Sequence, residues 1–101
     1  MEESNIDMAE KLMSFINYER GYDENYWLDI GKALYNCDDT YDGRGFKLWT
    51  SFSNKAGRSI NECYQVWDTF EIDNPITLKT LAFYARKDNY KLYKQWHEIH
   101  R

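Results

Sequence analysis

Apolar residues recur at intervals of three and four along almost the whole chain, and no stretch alternates long enough to make a strand. That periodicity restricts the 101 residues to helices. Met8, Leu12, Phe15 and Ile16 share one face of a first helix, expected from about Asn5 to Tyr18 and stopped at Arg20-Gly21. Asp23 is a natural N-cap for a second helix with Glu24 in its first turn and an inner stripe of Trp27, Ile30, Ala33 and Leu34. Gly31 lies in mid-helix at a cost of roughly 1 kcal/mol relative to alanine, which a close helix–helix approach would justify. An acidic loop from Cys37 to Asp42 is closed by Gly43-Arg44-Gly45.

Phe46, Trp49 and Phe52 or Ser53 mark a third helix ended by Ala56-Gly57. Ser59 and Glu62 have the spacing of a capping box, opening a fourth helix with Cys63, Val66, Trp67 and Phe70 inward. Asn74-Pro75 forces a turn. Thr77 then caps a fifth helix with the stripe Leu78, Leu81, Ala82 and Ala85, and Asp88 is expected to cap a short last helix carrying Leu92, Trp96 and Ile99. The expected fold is all-α, a compact orthogonal bundle of five or six short helices in one domain over residues 1–101. Its aromatic content of 18%, with one proline and five glycines, is that of a packed core.

The residues that carry chemistry are sparse. Cys37 and Cys63 are far apart, which suits packed, reduced thiols better than a zinc site or a disulfide scaffold. Asp38, Thr40, Asp42 and Gly43 match the start of a calcium loop, but its twelfth position is Trp49 where a bidentate glutamate is required. His97 and His100 have only Glu98 nearby, too few ligands for a metal. Asp38-Asp39 sits in a loop without a histidine partner, a poor general acid–base pair. No phosphate cradle, serine elbow or HExxH is present. The chain is therefore expected to bind rather than catalyse, with no cofactor or metal. It has no apolar run near the ~20 residues of a membrane span, and a soluble, intracellular protein is expected.

The net charge of −4 hides an asymmetry. Residues 1–42 carry eleven acids and three bases, whereas residues 43–101 carry six acids and ten bases. Arg44, Lys47, Lys55 and Arg58 flank the third helix, and Lys79, Arg86, Lys87, Lys91 and Lys94 run along the fifth and sixth. Bases beside tyrosines suit a single strand, where cations meet phosphates and rings meet bases. Trp27, Trp49 and Trp67 lie on apolar stripes and are expected inside. Trp96, with Tyr90 and Tyr93, is a candidate for an exposed aromatic patch.

Four blocks resemble the second type of primase C-terminal domain (PriCT-2), a helical module of primases and primase-helicases in large DNA viruses, phages and plasmids. They are Tyr26-Trp27-Leu28-Asp29-Ile30-Gly31-Lys32-Ala33-Leu34, Gly45-Phe46-Lys47-Leu48-Trp49-Thr50-Ser51-Phe52-Ser53, Glu62-Cys63-Tyr64-Gln65-Val66-Trp67-Asp68-Thr69-Phe70, and Ile76-Thr77-Leu78-Lys79-Thr80-Leu81 with Ala85. The likeness covers about residues 8–88. It implies a bundle set between a primase-polymerase domain and a helicase domain, holding single-stranded DNA template beside the primase site and assisting primer initiation. On that reading Arg44, Lys47, Lys55, Arg58, Lys79, Arg86 and Lys87 contact phosphates, and Tyr64 and Tyr84 are stacking partners. The alternative is a spacer that docks primase to helicase without touching nucleic acid. Its acidic half would meet a basic partner, with contact through Tyr90, Tyr93 and Trp96.

Overall fold

The computed structural model describes residues 4–38, 43–71 and 74–100. Six α-helices and one 3-10 turn make up the regular structure of those residues, with no strand among them. The helices are α1 (Asn5–Met13), α2 (Glu24–Cys37), α3 (Arg44–Lys55), α4 (Ile60–Trp67), α5 (Leu78–Asp88) and α6 (Tyr90–His100), and the 3-10 turn covers Tyr18–Tyr22. α2 is central, touching α1, α3, α5 and the 3-10 turn. The all-α bundle expected from the periodicity is the fold observed.

The core is built around two indoles. Trp27 of α2 and Trp49 of α3 stack with ring centroids 4.7 Å apart. Every polar atom of the pair is satisfied internally: Trp27 Nε1 donates to Ser53 Oγ at 2.7 Å, Trp49 Nε1 to the Trp27 carbonyl at 3.1 Å, and Ser53 Oγ to the Trp49 carbonyl at 2.6 Å. Gly31 makes this stack possible, because a Cβ there would lie 2.6 Å from Trp49 Cε2. The helix–helix approach expected at Gly31 is thus an approach of backbone to ring. Ile30, Ala33 and Leu34 bury the rest of the α2 stripe, and Leu81 and Ala85 bury α5. Both cysteines are buried, and neither forms a disulfide.

Several caps match expectation. Asp23 Oδ1 accepts from the amides of Asn25 and Tyr26, Ser59 and Glu62 form a reciprocal capping box, and Thr77 Oγ1 accepts from Lys79 N–H. Three boundaries differ. α1 stops at Met13, one turn early, because Ser14 Oγ bonds the Lys11 carbonyl and Asn17 turns outward to cap the 3-10 turn through Glu19 N–H. Phe15 and Ile16 are still buried, reaching the core from a turn. α4 likewise ends at Trp67, with Phe70 buried beyond it. Asp88 does not cap α6: Asn89 holds that place, its side-chain oxygen 3.5 Å from Leu92 N, while Asp88 is the last residue of α5. Residues 39–42 lie outside the described residues, and with them Asp39 of the acid pair and Thr40 and Asp42 of the rejected calcium loop, while Asp38 accepts from Gly45 N–H at 3.0 Å.

Asp88 instead closes a clasp. Its two oxygens accept from Arg20 Nε and Nη2, both at 2.7 Å, and Oδ2 also accepts from Asn17 N–H at 2.9 Å. The Arg20 guanidinium lies over Tyr26 and Tyr84, 4.9 and 4.5 Å from their ring centroids. Burial pushes the Asp88 carboxyl up, but the Arg20 hydrogen bonds, the Asn17 amide and the Arg20 charge outweigh it, and the net shift is downward from 3.8. The clasp ties the 3-10 turn to the end of α5.

Gly31→Ala gains about 1 kcal/mol of helix propensity but forces Trp49 off Trp27. Overpacking of this kind costs about 1–3 kcal/mol, so a lower Tm is expected, and an unchanged or higher Tm by calorimetry would contradict the close approach. Asp88→Ala should cost about 2 kcal/mol in urea unfolding at pH 7. A carboxyl with a depressed folded pKa stabilises above its unfolded value and loses that contribution as pH falls through the folded one. The wild-type advantage over Asp88→Ala should therefore be full at neutral pH and shrink below pH 3.8.

Candidate nucleic-acid interface

α5 turns Leu81, Tyr84 and Ala85 inward, which leaves Lys79, Phe83, Arg86 and Lys87 outside. Phe83 is 55% exposed although it belongs to an amphipathic helix with a buried stripe of its own. It lies four residues from both Lys79 and Lys87, and Lys87 Nζ sits 4.9 Å from its ring centroid. Across the Asn89 break, Arg86 reaches Tyr90, also exposed, with its guanidinium 6.0 Å from that ring. Lys91 and Lys94 continue the exposed surface along α6.

The charge of this corner is one-sided. Over α5 and α6 the chain has five bases and two acids, Asp88, which Arg20 already neutralises, and Glu98 in the last turn of α6. None of Lys79, Arg86, Lys87, Lys91 and Lys94 makes an ion pair among the described residues. Two exposed rings with unpaired cations over them form a surface able to stack on unpaired bases and meet phosphates.

The bases around α3 are placed differently. Arg44 Nη2 pairs with Asp7 at 2.8 Å and Glu10 at 3.3 Å, and this hydrogen bond holds the Asp7 carboxyl below its ordinary value. Arg58 donates through Nε to the Gly21 carbonyl at 2.8 Å, lies 4.0 Å from the Trp27 ring and faces Glu62 at 3.6 Å. Both arginines fasten the fold together. Lys47 and Lys55 are exposed, Lys55 beside Glu10 on the rim of a depression between α1 and α3. α3 packs on α1, α2, α4 and the 3-10 turn, while α5 packs on α1, α2 and α6. The structure therefore brings Arg86 and Lys87 together and sets Arg44, Lys47, Lys55 and Arg58 on another part of the bundle.

The two tyrosines separate as well. Tyr64 is exposed, with one face tilted over Phe46 at 4.8 Å. Tyr84 corrects the expectation of a stacking partner: it is 7% exposed, its ring covered by Arg20 and Tyr26, its hydroxyl bonded to Asp29 at 3.3 Å. Trp96 is half-buried edge-on to Phe15 at 6.4 Å, so of the expected Tyr90, Tyr93 and Trp96 patch Tyr90 is the exposed member. Phe83 was missed by sequence reasoning, although its signal was present: it is an aromatic residue off the leucine stripe, on the lysine face.

The four blocks quoted from the sequence map mainly onto the interior, since Trp27, Ile30, Gly31, Leu34, Trp49, Phe52, Ser53, Cys63, Phe70, Leu81 and Ala85 are all buried. The chain is 32% identical over 101 residues to "Putative helicase 121R" of Invertebrate iridescent virus 3, covering 91% of this chain and 10% of that protein. It is 28% identical over 89 residues to "Putative helicase 022R" of Frog virus 3, covering 87% and 9%. With "Putative helicase L207/L206" of Acanthamoeba polyphaga mimivirus the identity is 27% over 90 residues, covering 86% and 9%. The chain thus spans about a tenth of the length of these relatives. No solved structure matches it. No helix among the described residues is long and apolar enough to cross a membrane. The model of the family "Primase C terminal 2 (PriCT-2)" matches residues 9–85, most of the length of the bundle, and the chain belongs to that family.

Proposed function

We propose that this PriCT-2 domain is a non-catalytic, strand-holding module of a viral primase-helicase, which keeps single-stranded DNA template in place during primer initiation at the site of viral replication. The observation that carries this reading is the α5–α6 corner, where five bases stand against two acids, one of them engaged by Arg20, and two exposed rings lie beneath cations. Phe83 and Tyr90 stack on successive bases, and Arg86, Lys87, Lys91 and Lys94 track the phosphates. Lys79 extends the same helix face. Polymerase and helicase chemistry would belong to neighbouring domains, which are the module's partners. The α3 cations contribute little to strand affinity on this reading, because Arg44 and Arg58 are held by carboxylates and a backbone carbonyl, and Lys47 and Lys55 are on a helix that does not pack on α5 or α6.

Fluorescence anisotropy of a labelled oligothymidylate at low salt tests this. Binding should weaken with salt, with a log–log slope of about −3 if roughly four phosphates are neutralised on a single strand. Arg86→Glu with Lys87→Glu should weaken binding more than about tenfold at low salt, since it reverses two phosphate contacts. Phe83→Ala and Tyr90→Ala should each cost about 1–3 kcal/mol of binding, whereas Lys47→Glu should be nearly silent. No binding at high-micromolar protein, with the helical circular dichroism intact, would end the strand-holding reading. A loss on Lys47→Glu equal to that on the α5 pair would move the site to α3.

A further inference from the structure

The segment from Tyr18 to Tyr26 has a surface that the strand-holding role does not use. Tyr18, Tyr22 and Tyr26 are 43%, 60% and 41% exposed. Looseness does not explain this exposure, because the 3-10 turn is fixed from several sides. Asn17 caps it, and the clasp of Arg20 to Asp88 ties it to α5. Gly21 is pressed so closely on α3 that a Cβ there would lie 2.6 Å from the Ala56 methyl. Arg58 grips the Gly21 carbonyl from the other side. Tyr18 and Tyr22 are in edge contact at 6.1 Å, and Tyr26 leans on Tyr84 at 5.4 Å. The rings are held in place before any partner arrives, which lowers the ordering cost of binding.

Between Tyr22 and Tyr26 lies a shallow depression of about 490 Å³, bordered by Glu19 and Asp23 and by the clasp of Arg20 and Asp88. The clasp is internally neutral, so Glu19 and Asp23 set the sign. Glu19 Oε1 accepts from Asn17 and Asp23 Oδ1 from the α2 amides, which leaves each carboxylate one oxygen without a hydrogen bond among the described residues. Phosphates are repelled here. A cation is attracted, and the same surface already holds one: the Arg20 guanidinium lies against the rings of both Tyr26 and Tyr84. Planar guanidinium groups favour such sites because they stack on rings while donating to carboxylates. The described residues 4–38 add a field of the same sign, with seven acids against Lys11, Arg20 and Lys32.

We infer that the Tyr18–Tyr26 ridge is a docking surface for a basic polypeptide segment of a partner protein, with an arginine entering the depression between Tyr22 and Tyr26 toward Glu19 and Asp23. This inference does not depend on the strand-holding reading. It makes the domain an adaptor with one face for protein and another for the strand.

The test is titration of the ¹⁵N-labelled 101-residue chain with a short peptide of alternating arginine and glycine, and with its lysine counterpart. Affinities come from anisotropy of the same peptides. Amide shifts should concentrate between Tyr18 and Tyr26, and the arginine peptide should bind several-fold tighter. Tyr22→Ala should weaken it roughly two- to fivefold, the effect of one exposed cation–π contact. Glu19→Lys should weaken it further, and Glu19→Gln by an intermediate amount. Arg86→Glu should leave peptide binding unchanged or slightly stronger. The inference fails if shifts spread evenly to Glu62 and Asp68 of α4, if the two peptides bind alike, if folded Tyr22→Ala binds as wild type, or if an oligonucleotide shifts this ridge in their place. Strand binding is read on α5–α6 variants with an oligonucleotide, so either conclusion can fail without the other.

Discussion

The stack of Trp27 on Trp49 is the contact on which the rest of the bundle depends. Two indoles at 4.7 Å bring a large apolar area out of water, but they also bring two N–H donors into the core. An unmet buried donor costs about 1–3 kcal/mol, so the stack is stable only because Ser53 and the Trp27 carbonyl accept from both rings. Ser53 donates its own hydroxyl to the Trp49 carbonyl, so the buried polar chain ends on backbone. The edge of the stack rests on Gly31, and the far side of Trp27 is covered by Arg58. α2, α3 and the start of α4 are thereby locked to one another, and the 3-10 turn is added through the Gly21 carbonyl that Arg58 also holds.

Arginine and lysine divide the work of the surface. Arg20, Arg44 and Arg58 all engage partners within the chain, Arg44 at the surface on Asp7 and Glu10, the other two against carboxylates, a carbonyl and rings. Planar forks with several donors are suited to that, whereas a lysine ammonium is a hydrated point charge. The lysines of α5 and α6 stay exposed, and Arg86 joins them beside Tyr90. Counting bases along the chain therefore overstated the cationic surface of α3. Its arginines are chemically the best phosphate ligands there, and structurally they are already engaged.

The fold was legible from the sequence because helical periodicity, capping residues and glycine stops are local signals. Asp23, Ser59 with Glu62, and Thr77 each cap the helix that their spacing assigns to them. The misplaced boundaries come from residues whose partners are distant in the chain. Asp88 looks like a cap until Arg20, sixty-eight positions away, claims both of its oxygens. Asn17 ends the first helical stretch partly because its amide is met by the same carboxylate. The site was harder to read for a related reason. Tyr84 and Phe83 are neighbours of similar composition, and only the packing of α5 on α2 decides that one is buried beneath Arg20 while the other faces water. The family blocks helped little, since their buried residues report the bundle, and the exposed candidate binding residues among them, Lys47, Tyr64 and Lys79, lie on different helices.

The clasp between Arg20 and Asp88 joins the two surfaces that the charge asymmetry separates. Asp88 follows Lys87 directly and ends the helix that presents Phe83 and Arg86, while Arg20 lies within the tyrosine ridge. Each partner of the clasp thus silences a charge of the wrong sign for its own face: Asp88 would repel a phosphate at the α5–α6 corner, and Arg20 would repel a cation in the ridge. Pairing them removes both repulsions and fixes the distance between the faces with one bidentate contact. A change at either residue therefore unbalances both surfaces together, which makes the clasp the electrostatic hinge of the domain and more than a stabilising ion pair.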